Sequence, residues 1–498
     1  MTSNPSDSLL AAAKQALRSG AHDQALARFE SYLEAHPAQV DALILAAQAY
    51  RYFNRNDRIV ELYARAAEAA PTDPDVLAGY VEALVAHSQL DRAREIAQAA
   101  IAAHPEAVRL HLLFAHTDLA LGNQDAARKV FWTWLEKDPD NTDCAFQLGQ
   151  IASDEDLPKL STALDRMWKN RDNLDAWRAA TLGFAYGRVA ERLKEFEKAW
   201  EGYSFGAMKR RSVTQYDEAT VASTPDQHGK LFNTAIANPF EDEKPGAGFV
   251  FIVSLPRSGS TLVEQILDAH PKVEAIGERP FAYDTVSYWH RTFGPNLATL
   301  LSPEALKAAR DFYAKAAREA AGRQDGRVIV DKSITNYVFL GFLRTILPGA
   351  RFIHVVRHPL DTAVSCFSTS FFAGNEWTYD LTEIGRHVRR YEKLMLHWMN
   401  QWPDDILTVR YEDLVSRPED LSRQIVSFCG LEWDPACLTF HESSRPILTA
   451  SVNQVRQPIY QSAMGRAAKY EKHLAPLVAA MGRRAANPDW FLPKEERK

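Results

Sequence analysis

Four short segments of the chain carry residues that could hold and transfer an anionic group: Ser254–Thr261 (SLPRSGST), Asp331-Lys332-Ser333, Arg357-His358-Pro359 and Tyr411-Glu412-Asp413. The first has the look of a phosphate loop opening a helix, yet it breaks the usual G-x-x-x-x-G-K-[ST] pattern. Ser254 stands where the first Gly belongs and Ser260 where the Lys belongs, while Gly259 and Thr261 are kept. A triphosphate loop uses that Lys, with Mg²⁺, to neutralise the β and γ groups. Here the side-chain charge lies on Arg257 inside the loop and on Lys332 and Arg357 in later segments. Cations gathered round a helix N-terminus make an anion site. A sulfuryl group carries less charge than a phosphoryl group, so backbone N–H groups, Arg and Lys can stabilise its transfer without a metal.

These segments need elements that bring them together. Each sits at the end of an apolar, β-rich run: GFVFIV, RVIVD, RFIHVV and ILTVR. Between the runs lie helical stretches such as STLVEQILDAH, PEALKAARDFYAKAAREAA and IGRHVRRYEKLMLHWMNQW. That alternation predicts a parallel sheet covered by helices on both faces. Ligands of such sheets bind outside the carboxyl ends of the strands, so Arg257, Lys332 and Arg357 are expected at one edge. A carboxylate within reach of an acceptor hydroxyl could remove its proton, and Glu278, closing the strand-like KVEAIGE, can sit at the sheet edge. His354 falls inside the third run and is expected in the core; His358 is expected to contact nucleotide or to cap a helix.

The stretch LPRSGSTLVEQILDAHP followed by GERP, together with VVRHPLDTAVSCFS, resembles the two signature segments of sulfotransferases. It is most similar to the protein-tyrosine sulfotransferase branch and its TPR-fused bacterial relatives, over Gly248 to the region of Tyr470. The resemblance implies a donor, 3′-phosphoadenosine 5′-phosphosulfate, and no metal. It implies that Arg257, Ser258, Gly259, Ser260 and Thr261 hold the 5′-phosphosulfate, with Arg257 on the transferring group. Glu278 matches the catalytic base, Lys332 and Ser451 the transition-state stabilisers, Arg357 and Ser365 the 3′-phosphate pair, and Tyr411 a nucleotide contact. Arg466 falls where the family has a nucleotide-binding Lys. The family's G-E-E-T is G-E-R-P here, with Arg279 in place of a second carboxylate, and a further family Arg is Thr369. The acceptor implied is a hydroxyl on a protein or peptide tyrosine, a small phenol, a carbohydrate or a lipid headgroup. A P-loop kinase or NTPase, and an adaptor whose nucleotide-binding domain no longer catalyses, remain alternatives.

The N-terminal third is periodic. Pro37, Pro71, Pro105 and Pro139 follow one another at 34-residue intervals, each closing a segment such as ALARFESYLEAHP. Seventeen residues before each proline stands Gly20, Asn54, Ser88 or Gly122, and twelve before stands Ala25, Ile59, Ala93 or Ala127. Turn-forming residues, a small helix-contact residue and a helix-stopping proline at this period describe a helix–turn–helix unit that resembles the tetratricopeptide repeat (TPR). Asp154–Arg211 reads as one further, atypical repeat with Ala199 at the small position, and the Pro-, Gly- and Asn-rich segment after Ser212 as a connector. The expected architecture is an all-α TPR solenoid over 1–211, a connector over 212–246, and an α/β three-layer domain over 247–498 with a parallel sheet and a P-loop-like 5′-phosphosulfate loop. The repeat stack is expected either to take a peptide or partner in its groove or to serve as a spacer or a surface for a second subunit.

Composition is consistent with this. The 498 residues are 46% hydrophobic and 24% charged, with net charge −6, which provides no overall basic footprint for nucleic acid. Cys144, Cys366, Cys429 and Cys437 lack metal-like or framework spacing and are expected as reduced thiols. Neither a signal-peptide pattern nor an apolar stretch of about 18 residues is present, so a cytoplasmic location is expected.

Overall fold

The structure, a computed structural model, describes residues 5–19, 21–52, 58–87, 89–232, 240–322, 327–371, 374–440, 464–482 and 489. They fall into two compact units, residues 1–152 and the described residues from 153 onward.

The first unit is a stack of helices: α1 (Pro5–Arg18), α2 (His22–Ala35), α3 (Val40–Tyr52), α4 (Ile59–Ala69), α5 (Pro74–Ala86), α6 (Leu90–Ala103), α7 (Val108–Leu121), α8 (Gln124–Lys137) and α9 (Thr142–Ile151). Consecutive helices pack on each other, as in a TPR solenoid. The prolines of the 34-residue period each stand two residues past the end of α2, α4, α6 or α8, where a missing N–H does no harm. The small-position residues Ala25, Ile59, Ala93 and Ala127 are at most 1% exposed, because the facing helix closes over them. Gly122 ends α7 in the left-handed conformation, as a tight turn requires; Gly20, Asn54 and Ser88 lie outside the described residues.

The second unit opens with α10 (Leu157–Lys169), α11 (Ala176–Arg192), α12 (Phe196–Val213) and α13 (Glu218–Leu231). Compactness therefore groups 153–211 with the sheet and not with the repeats, and the expected connector contains a helix. Helices α11 and α12 form a hairpin in which Ala199 is fully buried. Their approach is close: a Cβ on Gly183 would lie 2.6 Å from the Gly206 Cα, and one on Gly202 would lie 2.5 Å from the Gly187 N. Small residues four apart on both helices let the backbones touch.

The sheet has strands β1 (Phe249–Ser254), β2 (Val273–Gly277), β3 (Val328–Asp331), β4 (Arg351–Val356) and β5 (Ile406–Arg410), all parallel, in the order β2-β3-β1-β4-β5. Every residue of β1 and β3 is buried, as expected for strands covered on both faces. Helix α14 (Ser260–Asp268) follows β1, α15 (Phe281–Phe293), α16 (Leu297–Leu300) and α17 (Pro303–Ala321) follow β2, and α18 (Leu340–Ile346) follows β3. Helices α19 (Pro359–Phe367) and α20 (Leu381–Gln401) follow β4, and α21 (Tyr411–Ser416) and α22 (Pro418–Phe428) follow β5. Among the described residues no helix is long and apolar enough to cross a membrane.

Candidate active site

The strand order sets out the candidate residues as a row along one sheet edge. From β2 outward the strand ends supply Glu278, Lys332, the Arg257 loop, Arg357 and Tyr411. The loop between β1 and α14 carries two left-handed residues, Arg257 (φ 65°) and Gly259 (φ 97°). Such a turn directs successive N–H groups into a concavity, and α14 adds its positive N-terminal end. Gly259 is the N-cap, and a Cβ there would lie 2.5 Å from the Tyr411 Cδ2. The ring of Tyr411 thus covers the loop from the β5 side. Ser258, Ser260 and Thr261 are buried around the same turn.

Arginines crowd this loop. Arg257 Nε donates to Ser365 Oγ (3.2 Å), and Arg357 Nη1 donates to the Arg257 carbonyl (3.2 Å). The Arg357 guanidinium also lies 5.2 Å from the centre of the Tyr411 ring. Burial, then the charge of Arg188, pull Arg257 down to about 10; Cys366 acts the other way, and Arg466 and Arg357 add to the lowering. Accumulated positive charge of this kind is relieved by an anion. The Cys366 thiol donates to the Pro256 carbonyl (3.4 Å), and burial pushes it up to about 12. All four cysteines are free thiols.

At the β2–β3 end, a bulge between Ala275 and Gly277 turns the chain, and Lys332 N donates to the Gly277 carbonyl (3.1 Å). Glu278 consequently projects beside Lys332, whose Nζ donates to Glu278 Oε1 at 2.5 Å. Lys332 has no exposed side-chain surface, while the Glu278 side chain is 52% exposed. A second carboxylate lies beneath: Glu264 Oε2 is 3.5 Å from the same Nζ and is itself 6% exposed. Burial disfavours the ammonium, but Glu264 and then Glu278 outweigh it and hold Lys332 above the ordinary lysine range. Sequence reasoning missed Glu264. The available signal was a carboxylate amid the buried residues of α14.

Arg279 is tied down by its backbone N–H to Ser333 Oγ (2.8 Å) and by Nε to the Ile276 carbonyl (3.1 Å). Asp331, next to Lys332, accepts from Tyr313 Oη (2.7 Å) and from the Ser333 backbone N–H (2.8 Å), so its carboxylate organises the strand end. His354 is a core residue, as expected: it is fully buried against Tyr391 and Thr408, and burial lowers it to about 3. The His358 N–H donates to Glu412 Oε1 (2.9 Å), and His358 borders a 650 Å³ cavity shared with Leu360, Gly465, Leu474 and Val478. Thr369 donates to the Ser365 carbonyl (2.7 Å).

Arg466, expected on the nucleotide, is paired with a carboxylate. Asp361 accepts from the Gly465 and Ala467 N–H groups, both at 2.7 Å, which holds this stretch beside α19. The guanidinium, however, turns to Glu191 of α11, with Nε and Nη2 at 2.6 and 2.5 Å, and Tyr203 Oη donates to the same carboxylate at 2.7 Å. A carboxylate from the preceding helices occupies the cation assigned to nucleotide. Neither Glu191 nor Arg188 carries a sequence motif, and only packing brings them here. Ser451 lies outside the described residues.

Residues 250–435 match the sulfotransferase family, and 84–145 match the tetratricopeptide repeat. The chain resembles the sulfotransferases of the protein-tyrosine branch. A protein-tyrosine sulfotransferase of Drosophila melanogaster is 24% identical over 47% of this chain and 51% of its own length. A protein of Aquifex aeolicus is 29% identical over 66% of this chain and 44% of its own. The chain thus spans about half the length of these curated relatives. Among solved structures, the sulfotransferase domain from the Synechococcus PCC 7002 olefin synthase is 24% identical over 47% of this chain and 90% of that domain, with a TM-score of 0.35.

Proposed function

We propose that the chain transfers a sulfuryl group from 3′-phosphoadenosine 5′-phosphosulfate to a hydroxyl, with protein or peptide tyrosine the favoured acceptor. The observation that carries this reading is the Glu278–Lys332 contact standing beside an arginine-crowded loop without a loop lysine. The row of residues matches the parts of the donor in order. Arg257 and the α14 N-terminus face the 5′-phosphosulfate, Arg357 and Ser365 the 3′-phosphate, and Tyr411 the nucleoside side. In the reaction the acceptor oxygen attacks sulfur and its proton passes to Glu278. The bond from sulfur to the bridging oxygen breaks, and that oxygen leaves on adenosine 3′,5′-bisphosphate, stabilised by Lys332. The kinase reading loses support because Asp331, which ends β3 where a metal-holding aspartate would stand, is engaged by Tyr313 and Ser333. The repeat unit is proposed to present a peptide-binding groove.

Isothermal titration tests the assignment. Adenosine 3′,5′-bisphosphate should bind in the presence of a chelator, and ATP should not. Arg357→Ala should weaken the bisphosphate by about tenfold or more, the worth of a lost charge-assisted hydrogen bond. Equal affinity of wild type and Arg357→Ala, or tight Mg²⁺-dependent ATP binding, refutes the reading.

A further inference from the structure

We propose that Glu264 is a positioning residue for Lys332, holding the ammonium aimed and charged while Glu278 changes its protonation state. This rests on the sulfuryl-transfer reading above. Lys332 lies between two carboxylates, Glu278 at 2.5 Å on the open side and Glu264 at 3.5 Å on the closed side. The two have different environments. Glu278 is half-exposed and can meet an acceptor, while Glu264 is buried in α14 and cannot.

The reaction itself creates the need for a second carboxylate. When Glu278 takes the acceptor proton it becomes neutral, and the lysine loses that counter-charge at the moment it must donate to the departing bridging oxygen. An ammonium with no exposed surface and no counter-ion would tend to lose its proton, since burial penalises the charged form. No acceptor reaches Glu264 and the reaction passes it no proton, so the ammonium keeps that partner when Glu278 is neutralised. It also fixes direction. A lysine side chain has several rotatable bonds, and a fixed carboxylate beneath restricts where the ammonium can point.

Asp331 is turned to Tyr313 and Ser333, and the Arg279 side chain folds back on the Ile276 carbonyl. Burial and the proximity of Glu278 raise Glu264, and Lys332 opposes them. Loss of the Glu264 charge would leave Lys332 with one carboxylate in place of two, and its pKa would fall.

The test uses the full chain with ³⁵S-labelled donor and 4-nitrophenol, counting aryl sulfate and free sulfate together, across pH. Glu264→Gln keeps the shape and removes the charge. It should lower kcat by about tenfold or more while leaving the donor KM and the bisphosphate affinity within about threefold. The alkaline limb of its kcat–pH profile should move to lower pH, because the ammonium that must stay protonated has lost a stabilising anion. Glu264→Asp, which restores the charge on a shorter arm, should recover part of the rate and most of the alkaline limb. A Glu264→Gln enzyme with wild-type kcat and pH profile overturns the proposal, as does loss of bisphosphate affinity that Glu264→Asp does not restore. A wild-type chain that neither binds the bisphosphate nor turns over the donor overturns instead the reading on which it rests.

Discussion

The Glu191–Arg466 pair permits a prediction with a magnitude. Both side chains are largely buried, at 15% and 14% exposure, and Tyr203 completes the carboxylate's hydrogen bonding. Burial alone would raise Glu191, but Arg466 overrides it and holds the carboxyl at about 2, against an ordinary 4.5. That depression corresponds to about 3 kcal/mol of folded-state stability at neutral pH, at 1.36 kcal/mol for each pKa unit. The same contact raises Arg466, so the two shifts describe one interaction and are counted once. Glu191→Gln removes the charge and leaves a buried guanidinium short of its counter-ion. In urea denaturation at pH 7, the sheet unit should lose about 3 kcal/mol, while the repeat unit's transition should stay in place. The sign of the pH dependence follows from a depressed carboxyl. The wild-type advantage is complete above about pH 4.5 and is lost as pH falls towards 2, so roughly half or less should remain at pH 3. A Glu191→Gln protein as stable as wild type at pH 7, or a stability gap that does not narrow between pH 5 and pH 3, refutes the argument.

Two further outcomes follow from backbone geometry. Gly259→Ala should abolish measurable bisphosphate binding by titration and destabilise the sheet unit by about 1 kcal/mol or more in the same urea experiment, because φ is 97° and the new Cβ meets the Tyr411 ring; wild-type affinity would refute it. Gly202→Val should destabilise the sheet unit by about 1–3 kcal/mol or more in the same urea experiment, since the intruding carbon meets the Gly187 backbone and not a flexible side chain. An unchanged transition would show that the helix pair can separate without loss.

Legibility differed between parts of the molecule for physical reasons. The repeats were readable because each 34-residue unit makes the same local choice, with a proline after the second helix and a small residue where helices touch. The strands were readable because a parallel sheet buried on both faces demands continuous apolar runs, and all four runs chosen on that basis became β1, β3, β4 and β5. The second strand, Val273–Gly277, was legible only as a strand-like stretch, since at the sheet edge Glu274 interrupts its short apolar run. The boundary between the repeat unit and the sheet unit was less readable. Helices α10 to α12 share the repeat's local pattern, and local pattern carries no information about which unit a helix will pack on.

The chain's residue order was enough to establish a repeat solenoid, a parallel sheet and an edge where Arg257, Glu278, Lys332, Arg357 and Tyr411 converge, because strand periodicity and the carboxyl-end rule are local statements with a geometric consequence. Folding in three dimensions settled how those charges are balanced. Glu264 under Lys332, Glu191 on Arg466 and Asp361 clasping the backbone around Arg466 lie far from their partners in sequence. A buried cation is stabilised by a counter-charge, but any nearby carboxylate can supply it, and only packing selects which one does.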